Sequence, residues 1–251
     1  MPTINEITKH IEKFAPKDLA RPSDNVGLLV GDGRRAVSRV MIMLDADRRT
    51  IDEAVEFGAN LIITHHPFLY APIKSINDEK LLKLIENKIA LYSAHTNIDS
   101  ANGGVNDIFA KKLQLGNTEE ITIDGLITRI GETAECSFRE YIELVKSRLG
   151  IKNARYTGDL NKRISKIGIL GGSGGDLAGA IKDAGCDVYV TADVKYHQAQ
   201  FADEVGLCVI DAGHFETENF ICPVLRDYIS KEFDNLEVVV SKRNESYIGY
   251  L

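Results

Sequence analysis

VMIMLDADRRTIDEAVEFGANLIITHHP, residues 40–67, reads as strand, helix and strand in succession. Val40 to Leu44 is an unbroken apolar run ending at Asp45, and Leu61 to Thr64 is a second, ending at the His65-His66-Pro67 corner. Short runs of this kind suit strands buried on both faces, as in the parallel sheets of α/β proteins. Between them, Thr50 with Glu53 three residues later is the expected helix start, and Gly58 the expected stop. A strand–helix–strand unit of this size closes as a right-handed crossover, which makes the two strands parallel neighbours.

The same alternation extends in both directions. Upstream, Ile4, Ile7, Ile11 and Phe14 recur at helical spacing behind a Thr3–Glu6 capping box. Downstream, a helix begins near Asp78, a strand runs from Ile89 to Ser93 into Ala94-His95, and a helix over Val105–Leu115 stops at Gly116. Residues 117–134 read as less regular. A second series follows: a helix capped by Ser137 and Glu140 that ends at Gly150, a strand at Ile167–Leu170, a run to Val190 before Asp193, and a run from Leu207 to Ile210 before Asp211. A helix through Leu225 and Tyr228 and a strand at Glu237–Val240 complete the chain. The expected fold is α/β: two lobes, mostly parallel sheets flanked by helices in three layers. The lobes are expected at 1–124 and 125–251, with the last strand free to return to the first lobe.

Composition narrows the classes. With 251 residues, 44% of them hydrophobic and 27% charged, the chain can bury a sizeable core and keep a solvated surface. Thirty Lys and Arg against 37 Asp and Glu give a net charge of -7, a poor match to the clustered cations that phosphate backbones require. Cys136, Cys186, Cys208 and Cys222 include no C-x-x-C pair, which fits a reducing compartment. MPTINEITKHIEKF lacks the apolar run of a signal peptide, and no segment approaches the ~20 apolar residues of a membrane span. The expected location is cytoplasmic, without a membrane partner.

The polar residues then fall into place. Asp45, His65, His66, His95, Asp99, Asp193 and His214 each lie at or just past the carboxyl end of an expected strand. That is the edge where open α/β sheets keep their sites. Five of the six histidines follow such strands, and His10 alone sits on a plain helix. In an extended chain adjacent side chains point to opposite faces, so His65 and His66 serve one centre only if the chain turns there. Pro67 pushes His66 toward such a conformation. The pair by itself fits a metal site and a packed, hydrogen-bonded histidine equally well. His95-x-x-x-Asp99 precedes Asn102-Gly103-Gly104, whose glycines allow a tight turn, and Asp99 alone reads as a turn or cap residue. In His214-x-x-x-Glu218, Thr217 is a candidate cap with Glu218 in the first helical turn; the plainer reading is a cap beside a surface histidine.

Together these motifs offer up to four imidazoles and two carboxylates. That mixture suits Zn, Mn, Fe, Ni or Co rather than Ca or a thiolate site. Six side chains exceed the needs of one tetrahedral ion, whereas two divalent ions would use them, and two open metals activate water for hydrolysis. Other features are weaker. Gly171 to Gly175 lies between strand and helix, so Gly172 and Ser173 are candidate phosphate contacts, although a tight turn is an equal reading; the stretch is neither G-x-G-x-x-G nor a Walker loop. Lys195 is a candidate partner for an anionic substrate, or simply solvated, and His197 and Tyr196 lie near the metals or on a helix surface. Asp24-Asn25 reads as a structural turn or a subunit contact, with a role in the site as the third reading.

Taken in order, Ser23-Asp24-Asn25-Val26-Gly27-Leu28, Thr64-His65-His66-Pro67, His95-Thr96-Asn97-Ile98-Asp99 with Gly103-Gly104, Gly171-Gly172-Ser173-Gly174, Asp193-Val194-Lys195-Tyr196-His197 and Asp211-Ala212-Gly213-His214 with Glu218 resemble the NIF-three-like family, also called GTP cyclohydrolase I type two homologues. The resemblance spans nearly the whole chain, in the short form that lacks a middle insert domain. It implies a two-lobed α/β protein with a dinuclear site between the lobes and His65, His66, Asp99, His214 and Glu218 as metal ligands. It implies that His95 lies close by as a neighbouring group or proton carrier, and that the assembly is a homohexameric ring. The leading expectation is a metal-dependent hydrolase acting on a nucleotide or another small phosphorylated metabolite, with His95 handling protons. The alternatives are a non-catalytic metal-binding ring that binds a partner protein or nucleic acid, and a metal-delivery protein.

Overall fold

Val40 to Leu44 and Leu61 to Thr64 do become adjacent parallel strands, and the rest of the first sheet is built around them. The computed structural model describes residues 1–249. Its first elements are α1 (Ile4–Phe14), β1 (Gly27–Val30), β2 (Arg39–Met43), α2 (Arg48–Phe57), β3 (Leu61–Thr64), α3 (Glu79–Glu86), β4 (Ala90–Ser93) and α4 (Thr96–Ser100). There follow α5 (Val105–Lys112), β5 (Gly116–Ile123), β6 (Leu126–Ser137), α6 (Phe138–Leu149), β7 (Arg155–Thr157), β8 (Arg163–Ser173), α7 (Ala178–Asp183), β9 (Val188–Ala192), α8 (Tyr196–Glu204), β10 (Cys208–Asp211) and α9 (His214–Glu218). The chain closes with α10 (Ile221–Glu232) and β11 (Glu237–Val240). The fold is mixed α/β, two sheets each flanked by helices. Among the described residues no helix is long and apolar enough to cross a membrane.

The chain forms two compact units. The first comprises Met1–Asn102 with Asn219–Glu245, and the second is built on Gly103–Glu218. In the first, the sheet order is β1-β4-β3-β2-β11. Strands β4, β3, β2 and β11 are parallel, and β1 closes the edge antiparallel to β4. The last strand therefore returns to the first sheet, with Val238 opposite Val40. Every residue of β3 and β4 is buried, which is what the uninterrupted apolar runs demand of strands covered on both faces. Met41, Met43, Ile51, Ile62, Leu84 and Leu91 form the core between this sheet and α2 and α3.

In the second unit the order is β5-β6-β8-β9-β10-β7. Only β8, β9 and β10 run parallel; β5, β6 and β7 are antiparallel to their neighbours, so this sheet is mixed rather than mostly parallel. Residues 117–134 are not irregular, as the sequence suggested, but form the long β5–β6 hairpin. Its turn is Asp124-Gly125, with φ of +50° and +74° and Ile123 paired to Leu126. An Asp-Gly pair is the favoured chemistry for such a two-residue turn, because both positions need positive φ. The expected lobe division at 124/125 falls on this turn. The hairpin stays whole within the second unit because β6 also pairs with β8.

Helix starts follow the capping rules with two shifts. Thr3 and Glu6 exchange side-chain-to-backbone bonds at α1, Ser137 and Glu140 do so at α6, and Gly150 ends α6 at φ +71°. The start of α2 is earlier than Thr50: Asp47 caps it, accepting from Thr50 N at 2.7 Å, while Thr50 Oγ1 accepts from Asp47 N at 2.9 Å. Thr217 caps nothing. Its hydroxyl donates back to Gly213 O at 2.9 Å, and Glu218 ends α9 rather than opening a helix. Pro223 sits in the first turn of α10, where its missing N–H costs nothing.

Candidate metal centre

In the first unit, four of the predicted residues come together. The ladder between β2 and β3 continues past Thr64, with His65 N donating to Met43 O and His66 N to Leu44 O at 3.0 Å, while the chain bends at His65 and His66. With that bend both rings lie in one place: their centroids are 5.0 Å apart. His95 follows β4 and its ring is 5.3 Å from that of His65 and 5.7 Å from that of His66. One ligand atom from each of His65, His66 and His95 lies within 4.8 Å of the others. Asp99, on α4, places Oδ1 3.5 Å from His65 Nε2. Two ligands about 2.0–2.2 Å from one tetrahedral ion are separated by about 3.3–3.5 Å. This spacing is long for a hydrogen bond and right for a shared cation.

What orients these rings is their second nitrogen. His65 Nδ1 bonds the Ala94 carbonyl at 2.9 Å, His66 Nδ1 bonds Asp45 Oδ1 at 2.7 Å, and His95 Nδ1 sits 3.0 Å from Asp24. In the second unit His214 Nδ1 bonds Asp193 Oδ2 at 2.7 Å, and His214 Nε2 is 3.0 Å from Glu218 Oε2. An acceptor on Nδ1 fixes that nitrogen as the donor and leaves Nε2 basic and aimed at a metal, which is the carboxylate–histidine arrangement of metal proteins. The same device at four imidazoles, beside two carboxylates only 5% and 3% exposed, fits a divalent cation better than packing alone. Loss of such a partner typically costs 10–100-fold in metal affinity. Asp45→Asn is therefore expected to weaken metal binding by about tenfold or more, read in a chelator-competition titration, while the Tm stays near that of the parent. An unchanged affinity would remove Asp45 from the centre.

What motif reading does not give Asp24, Asp45 and Asp193 is their place behind the histidines. On the sequence Asp45 and Asp193 stand at strand ends, Asp193 within a family motif, and Asp24 reads first as a turn or subunit contact; none is marked as the partner of a histidine. The turn reading holds locally, since Asp24 accepts from Asn25 N, but the same carboxylate also takes Thr96 N at 3.0 Å and the His95 ring. Burial opposes ionisation of Asp24, yet the hydrogen bonds from His95 and Thr96 outweigh it and hold the carboxyl well below the usual carboxylate range. Asp193 adopts φ +54°, a left-handed conformation that Asp tolerates better than most residues and that carries its side chain to His214.

The remaining candidates are placed as follows. Lys195 and His197 are exposed around the start of α8, and Ser173 is exposed at the end of β8. Gly172 is buried at φ +67°, and a Cβ there would lie 2.1 Å from Glu218 Oε1 and 3.2 Å from His214 Nε2. Gly174 is hemmed in the same way by the Tyr189 and Thr191 hydroxyls. The glycine-rich turn thus has a packing reason: it lets β8 pass against the helix that carries His214 and Glu218. Cys186, Cys208 and Cys222 are buried, far from thiolate chemistry in character, and burial pushes the Cys186 thiol up to about 11.

Comparison with known proteins adds the following. The family model described as Duf34/NIF3 (NGG1p interacting factor 3) matches residues 2–246. A Clostridium perfringens protein named GTP cyclohydrolase 1 type 2 homolog is 39% identical, over 95% of this chain and 96% of its own. The solved structure of a Bacillus cereus protein related to NIF3 superposes with a TM-score of 0.91 at 25% identity, covering 100% of this chain and 99% of the other. Reduced HcgD from Methanocaldococcus jannaschii superposes with a TM-score of 0.85 at 33% identity, covering 96% and 98%.

Proposed function

Since the chain belongs to the Duf34/NIF3 family, we propose that it binds two divalent metal ions and hydrolyses a nucleotide or another small phosphorylated metabolite. The observation that carries this reading is the repeated anchoring of Nδ1 at His65, His66, His95 and His214, which turns four Nε2 atoms into prepared donors. In this reading His65, His66, Asp99, His214 and Glu218 hold the ions. When bound, the ions supply Lewis acidity and activate water near neutral pH. His95 accepts and returns a proton at Nε2, because Asp24 holds the other ring proton at Nδ1 and stabilises the imidazolium that forms. Asp45 and Asp193 keep their imidazoles from rotating as charge develops. Lys195 orients an anionic substrate from the start of α8. The names carried by the relatives make ring-opening of GTP one case of this chemistry, since it too begins with water attack on a purine carbon.

The test is elemental analysis of protein purified without chelator or metal-affinity tag, followed by turnover across nucleotides with Mn or Zn. About two equivalents per chain are expected, with Asp99→Asn losing metal and turnover together. Absence of metal even after reconstitution removes the centre; equal background turnover from parent and Asp99→Asn removes the enzyme while leaving the metal.

A further inference from the structure

The His214–Asp193 pair is not held by burial: its two side chains are 31% and 43% exposed. Water competes for both ends of a hydrogen bond in such a place, so something else must keep ring and carboxylate aligned. The pair also rests on two sharp backbone corners. Asp193 stands at φ +54°, and Gly213, just before His214, at φ +90°. A small rotation at either corner would re-aim the side chain beside it.

A buried carboxylate ties these corners together. Asp211 ends β10, and the register sets Arg155 of β7 opposite it on one side and Thr191 of β9 on the other. Asp193 comes two residues after Thr191, so the sheet itself delivers that corner to Asp211. The Asp211 side chain is only 8% exposed. Its Oδ2 accepts from Val194 N at 3.0 Å, and its Oδ1 from Gly213 N at 3.3 Å. Val194 follows Asp193 and Gly213 precedes His214, so the two oxygens of one group hold the backbone on both sides of the pair. Arg155 completes the clamp. Its Nη2 donates to Asp211 Oδ2 and to Val194 O at 3.2 Å, so Val194 is held at its N–H and at its carbonyl. The guanidinium also balances a charge that would be costly to bury alone.

We propose that Asp211, neutralised by Arg155, is a positioning residue that keeps Asp193 and His214 aligned and so fixes His214 Nε2 as the unprotonated donor. What that donor binds rests on the metal reading; the setting of the ring does not. The experiment reads the His214 tautomer by nitrogen NMR of the metal-free full chain labelled at histidine, at a pH where the ring is neutral, with His214→Gln assigning the signal. In the parent the proton is expected on Nδ1. Asp211→Asn keeps the size but offers one amide oxygen for two N–H groups, and should spread the proton over both ring nitrogens. An unchanged tautomer in the folded variant overturns the proposal. Arg155→Ala, at a side chain 68% exposed, should show the same shift in smaller measure, and it decides the matter if Asp211→Asn fails to fold. In chelator competition Asp211→Asn and Asp193→Asn should each weaken metal binding about tenfold. The double variant should be little weaker than Asp193→Asn alone, because both changes act on one ring. Independent effects, multiplying to about a hundredfold, would place Asp211 outside the pair and overturn the proposal. A parent that binds no metal sinks the metal reading and leaves the tautomer to decide the role of Asp211.

Discussion

Gly172→Ala is expected to destabilise the second unit by about 2–3 kcal/mol and to weaken metal retention by about tenfold or more. Two separate costs meet at this position. The backbone sits at φ +67°, where a Cβ crowds the following carbonyl at roughly 1–2 kcal/mol. It cannot relax away, because Gly172 N is held by Thr217 Oγ1 and Gly172 O by Thr191 Oγ1, both at 3.0 Å. The added methyl also takes the space of the Glu218 carboxylate, 2.1 Å away, and that side chain yields because it is the more flexible partner. In the proposed metal-binding reading, displacing Glu218 spoils a donor rather than merely a contact. Gly150→Ala is the control: at φ +71° it has nothing within 4 Å of the added carbon, so it should show the backbone cost alone and leave metal binding untouched. Denaturant titrations and chelator competition on the two variants separate the effects. If Gly172→Ala binds metal like the parent, Glu218 is not a ligand.

Asp107→Ala should cost about 2–3 kcal/mol, at the lower end of what breaking a buried ion pair costs. The arginine it serves, Arg129, has a side chain only 3% exposed, with Nε 2.5 Å from Asp107 Oδ1 and Nη2 3.1 Å from Glu120 Oε1. Removing Asp107 leaves a charged guanidinium inside the fold with Glu120 as its remaining acid. The discount from the full penalty reflects that partner, and the 34% exposure of Asp107 itself. The asymmetry is the sharper expectation. Arg129→Met removes the buried charge and leaves two carboxylates that water reaches, so it should be the milder change. Thermal unfolding of both variants decides: Asp107→Ala should lower Tm by several degrees more than Arg129→Met. The opposite ranking would mean that Arg129 acts mainly through its packed stem.

Much of the site was legible because its residue types are costly to place without a reason. Histidines at the ends of consecutive apolar runs pointed to one sheet edge, and the structure brings His65, His66, His95 and Asp99 together in the first unit and His214 with Glu218 in the second. Which acid stands behind which imidazole was not legible. Asp24 lies 71 residues from His95, and Asp45 and Asp193 each lie 21 from the imidazoles they hold. No local pattern marks an acid as the partner of a ring that far along the chain. The β5–β6 hairpin was missed for a different reason. Its strand β5 is mostly exposed and polar, so alternation was faint, and the one strong signal was the Asp124-Gly125 turn.

The sequence by itself determined the strand–helix alternation, the caps at Thr3 and Ser137, the family, and the set of candidate donors, because short-range propensity and periodicity are written in neighbouring residues. Only the tertiary structure decided that the second sheet is mixed, that β11 returns to β2, and that His65, His66, His95 and His214 have Nδ1 engaged. It also gave Gly172 its reason, since a carboxylate 46 residues later fills the space a side chain would need. Those are properties of strand pairing and close approach between distant segments, and no window along the chain contains them.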